Sequence, residues 1–212
     1  MKSIITGIFL LLSVCFVQAQ TPNYYRSPEK IYLDSKDGHN GGFNWQMYKA
    51  GEAKDPAEKI SQPGYQTGDW MPAIVPGTVL NSLVHNKVYP EPYYGMNNKL
   101  DQNIIPDLAK AGRDFYTYWF RTEFDVPESY KDKIVWLQVD GINYRAEIWV
   151  NGYLLGNMSG MFKPDYINIT DFARIGGKNA LAIKVYPVDM PGTIKPKRWG
   201  AVGEFHNGGD GN

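Results

Sequence analysis

One run of residues limits the fold more than any other: Tyr118-Trp119-Phe120-Arg121-Thr122-Glu123-Phe124-Asp125-Val126. Alternation puts Tyr118, Phe120, Thr122, Phe124 and Val126 on one face and Trp119, Arg121, Glu123 and Asp125 on the other, as in a strand with one buried side. Pro127 ends it. The pattern returns in Ile134–Asp140, with Val135, Leu137 and Val139 inward, and in Tyr144–Val150, with Tyr144, Ala146, Ile148 and Val150 inward. Asn151-Gly152 then sits between two apolar runs, and a two-residue hairpin turn needs the positive φ that this pair tolerates at both positions. Ile167-Asn168-Ile169 and Leu181–Val185 complete the set, with Gly176-Gly177 turning between them. Evenly spaced antiparallel strands with almost no helix between them predict an all-β sandwich. Composition agrees, since 14% aromatic residues, 22 Gly and 14 Pro in 212 residues favour short strands and elaborate loops over helices.

Upstream the signals are shorter. Phe43–Tyr48 alternates like a strand with one wet face, and Asp55–Ile60 reads as a single helical turn. Pro72 and Pro76 hold Asp69–Thr78 extended, and Val79–His85 predicts a short helix with Leu80, Leu83 and Val84 on one side. Tyr89–Arg113 is a long irregular stretch punctuated by Pro90, Pro92, Gly95, Pro106 and Gly112. Loops beyond about 15 residues in a compact domain are usually functional or disordered. The tyrosines at 89, 93 and 94 and several amides favour function, so ligand contacts are expected here first.

At the amino end, Lys2 precedes the apolar run Ile4–Val17, and Val17-Gln18-Ala19 offers compact residues where a signal peptidase reads. The run is short of the roughly 20 residues that span a bilayer. Residues 1–19 therefore predict a cleaved signal peptide and an exported protein, periplasmic or extracellular; an uncleaved anchor is the alternative. Cys15, the only cysteine, lies inside that segment, and its neighbours Ser13, Val14 and Phe16 fit a lipid-attachment signal poorly. Beyond it, residues 20–40 form a lead segment, 41–194 the sandwich domain, and 195–212 a glycine-rich tail. The tail ends without a closing strand and reads as the start of a further segment of a longer protein.

Chemistry is narrowed mainly by exclusion. The 22 basic and 22 acidic residues balance, which argues against broad electrostatic binding of nucleic acid or an anionic membrane. No glycine loop that cradles phosphate and no Gly-x-Ser-x-Gly elbow occur, and His39, His85 and His206 share no ligand spacing. No cofactor, metal or nucleophilic set is expected. Lys195–Trp199 mixes basic and aromatic residues as a solvated loop does, and Asn157-Met158-Ser159 and Asn168-Ile169-Thr170 are glycan acceptors on paper. Two carboxylates roughly 5–5.5 Å apart would make a retaining glycosidase. Glu123 and Glu147 face outward on strands that look adjacent, but Arg121 and Arg145 lie near them, and surface charge pairing is the simpler reading. Glu91, Asp101 and Asp107 lie in the long loop, and nothing singles out two of them. Aromatic surface and amides remain: rings stack on the C–H face of a sugar while Asn and Asp bond its hydroxyls.

Several stretches, in order, resemble the amino-terminal sugar-binding domain of glycoside hydrolase family 2. They are Trp70 with Val75-Pro76-Gly77-Thr78-Val79-Leu80, Tyr89–Asn98, Tyr118–Phe124, Gly141–Tyr144 and Ala146–Gly152 with Leu155-Gly156, then Asn168–Thr170 and Asn179–Val185. The Pro-Gly-Thr and Pro-Tyr-Tyr-Gly-x-Asn pieces look most like the β-mannosidase and exo-β-glucosaminidase branch. The resemblance implies a galactose-binding-like jelly-roll sandwich, followed in the family by an immunoglobulin-like domain and a barrel that carries both catalytic glutamates. No match to those glutamate motifs is present, so by resemblance the chain supplies no catalytic residue and is inactive alone. The family sends a loop from this domain to the active-site mouth, where an Asn touches the terminal sugar. Asn97 is the matching position, with Asn98 the fallback if the register slips by one. Two other readings stay open: a free-standing carbohydrate-binding sandwich with Trp119 and Trp149 as an exposed platform, and an adhesive sandwich in which Tyr89–Arg113 docks a protein.

Overall fold

The computed structural model describes residues 30–35, 42–99 and 102–188. The signal segment, most of the lead segment, the tail, His39, Asp101, Lys195–Trp199 and His206 lie outside the described residues. The chain divides into two units, Met1–Ile31 and Tyr32–Asn212, and every element below belongs to the second. Its strands are β1 (Gln46–Lys49), β2 (Met71–Pro72), β3 (Tyr118–Val126), β4 (Trp136–Val139), β5 (Arg145–Val150), β6 (Tyr153–Ser159), β7 (Asp165–Asn168) and β8 (Gly177–Tyr186). Its short helices are α1 (Ala57–Ile60), α2 (Val79–His85) and α3 (Leu108–Ala111).

Two antiparallel sheets result, a six-stranded one in the order β2-β1-β3-β8-β5-β6 and a two-stranded one of β4 and β7. The long β3 pairs with β8 from Tyr118↔Val185 to Val126↔Gly177, and β5 takes the other side of β8 from Arg145↔Tyr186 to Val150↔Leu181. Phe120, Phe124, Ile148, Val150 and Leu181 of the large sheet meet Val135, Leu137 and Ile169 in one core, the packing of an all-β sandwich. At the β2 edge, Pro72 lies opposite Gln46, and Asn86 donates its Nδ2 to the Pro72 carbonyl at 2.7 Å.

Asn151 (φ 51°) and Gly152 (φ 93°) turn β5 into β6 as a two-residue hairpin, with Val150 opposite Tyr153. The Asn151 side chain is buried: Nδ2 donates to the Phe172 carbonyl and to Asn179 Oδ1, both at 2.7 Å, and Oδ1 accepts from the Ala180 N–H at 2.9 Å. Asn179, fully buried on β8, also accepts from the Arg174 N–H and donates to the carbonyls of Arg174 and Gly177. Helix α2 is capped by Thr78, whose Oγ1 accepts the Asn81 N–H at 3.0 Å. Its buried side is Val79, Leu80, Ser82 and Leu83, with Val84 only half-buried. Ser82 goes inside because its hydroxyl accepts the Ile74 N–H.

The second face of the large sheet departs from the alternation. Trp119, Arg121 and Trp149, expected on a wet face, are only 3%, 4% and 8% exposed. Residues 50–70 cross that face and cover it: Ala50, Ala53, Ala57, Ile60, Tyr65 and Trp70 pack on Trp119, Trp149 and Ala182. Arg121 fastens the cover, donating Nε to the Ile60 carbonyl (2.9 Å) and Nη2 to the Gln62 carbonyl (2.7 Å) and Glu123 (2.5 Å). The guanidinium tolerates this burial because Nε and Nη2 both find acceptors.

Candidate functional site

The loop between α2 and β3 is sunk at both ends. At its start Val88 donates its N–H to the Leu83 carbonyl, and Tyr89 packs against the core. At its end Ile105 and Leu108 are buried, and Tyr116 donates its hydroxyl to the Pro106 carbonyl at 2.5 Å. The middle projects instead, with Tyr93 89% and Tyr94 77% exposed. Successive turns shape this tip: Tyr94 bonds back to Glu91, Asn97 to Tyr94 and Lys99 to Met96, while Gly95 supplies a φ of 61°.

Asn97 is half-buried, and its Nδ2 donates to the Glu91 carbonyl at 2.8 Å. That bond fixes the orientation of the amide. Asn98 beside it is exposed. The tip thus carries one oriented amide, that of Asn97, next to two open tyrosine rings.

The carboxylates do not assemble. Strand β8 lies between β3 and β5, so Glu123 faces Ala180 and Glu147 faces Lys184. That is four residues along the strand and two strand spacings across, roughly 16 Å between backbones. The strands are not adjacent, which rules out a catalytic pair here. Glu147 instead accepts from Tyr186 Oη (2.5 Å) and Trp149 Nε1 (3.3 Å). Burial and that bond to a carboxylate both push the Tyr186 phenol up. Burial opposes the charge on Glu123, yet Arg121, the Gly64 N–H and Lys178 outweigh it and hold the carboxyl below its usual range. In the loop, Glu91 is exposed while Asp107 is buried in the anchor, so they take up different parts of it.

The buried Trp119 and Trp149 cannot form a sugar-stacking platform, so that part of the free-standing-module reading is corrected. Open rings stand elsewhere, at Tyr93, Tyr94, Trp136, Phe162 and Tyr166. Exposure of this kind had a partial signal in the sequence: Trp136 and Tyr166 sit on the outward beat of their strands. Among the described residues no three His, Cys, Asp or Glu side chains gather as a metal site, and no helix is long and apolar enough to cross a membrane.

Residues 45–198 match a family model described as the glycosyl hydrolase 2 galactose-binding domain-like family. A mannosylglycoprotein endo-β-mannosidase of Lilium longiflorum is 42% identical over 135 residues, 64% of this chain and 14% of that protein. An exo-β-D-glucosaminidase of Amycolatopsis orientalis is 29% identical over 133 residues, 61% of this chain and 12% of that protein. The crystal structure of the Amycolatopsis orientalis exo-chitosanase CsxA is similar with a TM-score of 0.56 at 25% identity, covering 70% of this chain and 16% of that one. The chain therefore spans about one seventh or less of the length of these two curated relatives, which fall in the expected mannosidase and glucosaminidase branch. Because the family match takes in all eight strands of the sandwich, the chain belongs to the galactose-binding-like domain family of glycosyl hydrolase 2.

Proposed function

We propose that this chain is the sugar-binding domain of an exported family 2 β-glycosidase, inactive alone, that helps form the mouth of an active site whose catalytic carboxylates stand on a following barrel. In this reading residues 1–19 are the signal peptide, 20–40 the lead, 41–194 the sandwich and 195–212 a glycine-rich tail that starts the following segment. The supporting observation is the projecting tip, where Asn97 is held by Glu91 between sunken loop ends. Asn97, with Asn98 beside it, hydrogen-bonds hydroxyls of the terminal β-linked sugar and holds the ring in line for attack, a positioning contribution to the rate. The relatives named for β-mannoside and β-glucosaminide cleavage make those two sugars the substrate class to try.

The test uses the full-length protein and p-nitrophenyl β-D-mannoside and β-D-glucosaminide. Asn97→Ala is expected to lower kcat/KM about tenfold, the loss of one or two substrate hydrogen bonds, with the melting temperature unchanged. The 212-residue chain by itself is expected to turn over neither substrate. Turnover by the chain alone, or an Asn97→Ala enzyme of full activity, would overturn the reading.

A further inference from the structure

The small sheet turns Leu137, Val139 and Ile167 toward the core, so its other face carries the alternate positions. Register makes that face a checkerboard: Trp136 lies opposite Asn168, and Gln138 opposite Tyr166. The two rings therefore stand on one diagonal and the two amides on the other. Trp136 is 55% and Tyr166 57% exposed, and neither meets another ring or a cation among the described residues. Gln138 and Asn168 are exposed beside them. Gln138 Nε2 donates to Asp140 at 2.7 Å, which makes Asn168 the better placed donor for a ligand. Asn168 is locked. The Val135 N–H donates to Thr170 Oγ1 at 2.9 Å, so that hydroxyl directs its own proton to Asn168 Oδ1 at 2.7 Å. The Thr170 N–H donates to the same oxygen at 3.0 Å. A backbone N–H only donates, so the amide oxygen faces Thr170 and Nδ2 faces away, with no partner among the described residues.

We propose that this face is a stacking platform for a neutral glycan of two or three pyranose units. The aromatic rings cover the C–H faces of successive sugars, and Asn168 Nδ2 donates to a hydroxyl at the border of the stack. Because Thr170 has already fixed that amide, binding costs little side-chain ordering. All four outward positions of the paired strands are uncharged, which suits a neutral ligand and gives a polyanion nothing to seek. Size points the same way. The paired part of two short strands makes a face of roughly 14 Å by 10 Å. That is far below the roughly 800 Å² that each partner of a stable protein pair buries, but it accommodates a short run of sugar rings. The platform shares no residue with the Asn97 tip and stands or falls separately from it.

The experiment is an NMR titration of the isotope-labelled full chain with mannotriose, cellotriose and methyl β-D-mannoside, the chain being made in a host that attaches no N-glycans. At least one trisaccharide is expected to give saturable shifts at the Trp136 indole N–H, the Asn168 amide and Tyr166, unchanged by added salt. It should bind about tenfold tighter than the monosaccharide, since it covers both rings. Trp136→Ala and Tyr166→Ala should each weaken its binding about tenfold, with the thermal midpoint unchanged. Asn168→Asp keeps both bonds from Thr170 but loses the donor, and should weaken binding about fivefold. Asn97→Ala should leave it unaltered. Absence of saturable shifts with both trisaccharides, equal binding of the monosaccharide, or unweakened binding in both ring variants would overturn the platform. Shifts of Trp136 and Tyr166 that follow the concentration of the chain alone, with a dimer in the ultracentrifuge, would overturn it too, since the face would then belong to a second copy.

Discussion

Asn179→Ala removes the side chain on which the hairpin and the β7–β8 connection converge. In the native chain Asn179 accepts from Arg174 N and Asn151 Nδ2 at 2.7 Å and donates to Arg174 O at 3.0 Å and Gly177 O at 2.8 Å, four bonds in all, at 0% exposure. Each buried bond contributes about 1 kcal/mol net, and each stranded partner adds a desolvation cost, so the loss is about 4 kcal/mol. That is a large part of the 5–15 kcal/mol that typically holds a domain together. For a domain of this size it corresponds to a fall of roughly 8–16 °C in melting temperature. Urea unfolding followed by circular dichroism measures it directly. A cycle with Asn151→Gly, which keeps the positive φ that the turn requires, isolates the Asn151–Asn179 bond; a coupling of about 1 kcal/mol or more is expected. A loss below about 1 kcal/mol for Asn179→Ala would refute the reasoning, because it would mean that water or a backbone shift satisfies all four partners.

Arg121→Met should destabilise by about 3 kcal/mol, since it strands the Ile60 and Gln62 carbonyls; early proteolysis near residues 60–66 and a red shift in tryptophan fluorescence would report the lifted cover. Gly152→Ala should cost about 2 kcal/mol by chemical denaturation, because φ is 93° and the new methyl would come within 2.1 Å of Gln62 Nε2. Glu123 has a depressed folded-state pKa, so its stabilisation is present above the unfolded carboxylate value of about 4.3 and fades as pH falls through the folded value. Urea midpoints between pH 7 and pH 3 should accordingly fall less steeply for Glu123→Gln than for the native chain. Tyr93→Ala, at a ring 89% exposed, should leave stability within about 0.5 kcal/mol in the same assay.

Much of the framework was legible because its signals are local. The β3 alternation, the Asn151-Gly152 turn and the short helix over Val79–His85 each act through neighbours within a few residues. Trp119, Arg121 and Trp149 misled for the opposite reason. They alternate as outward residues should, and the segment that covers them arrives from some sixty positions away, with Arg121 reaching back to Ile60. Asn179 likewise shows only as a polar residue ahead of an apolar run until Asn151 and the turn at Arg174 are brought to it. The Asn97 position rested on the resemblance of its motif, since no local rule distinguishes it from Asn98.

The border of the large sheet at Pro72 has a consequence for how such molecules behave when crowded. An imino nitrogen carries no hydrogen to donate, and the adjoining oxygen is already taken by Asn86. A stray strand drifting alongside would find nothing at that spot to zip onto, so growth of the sheet from copy to copy is blocked there by a single ring and one amide.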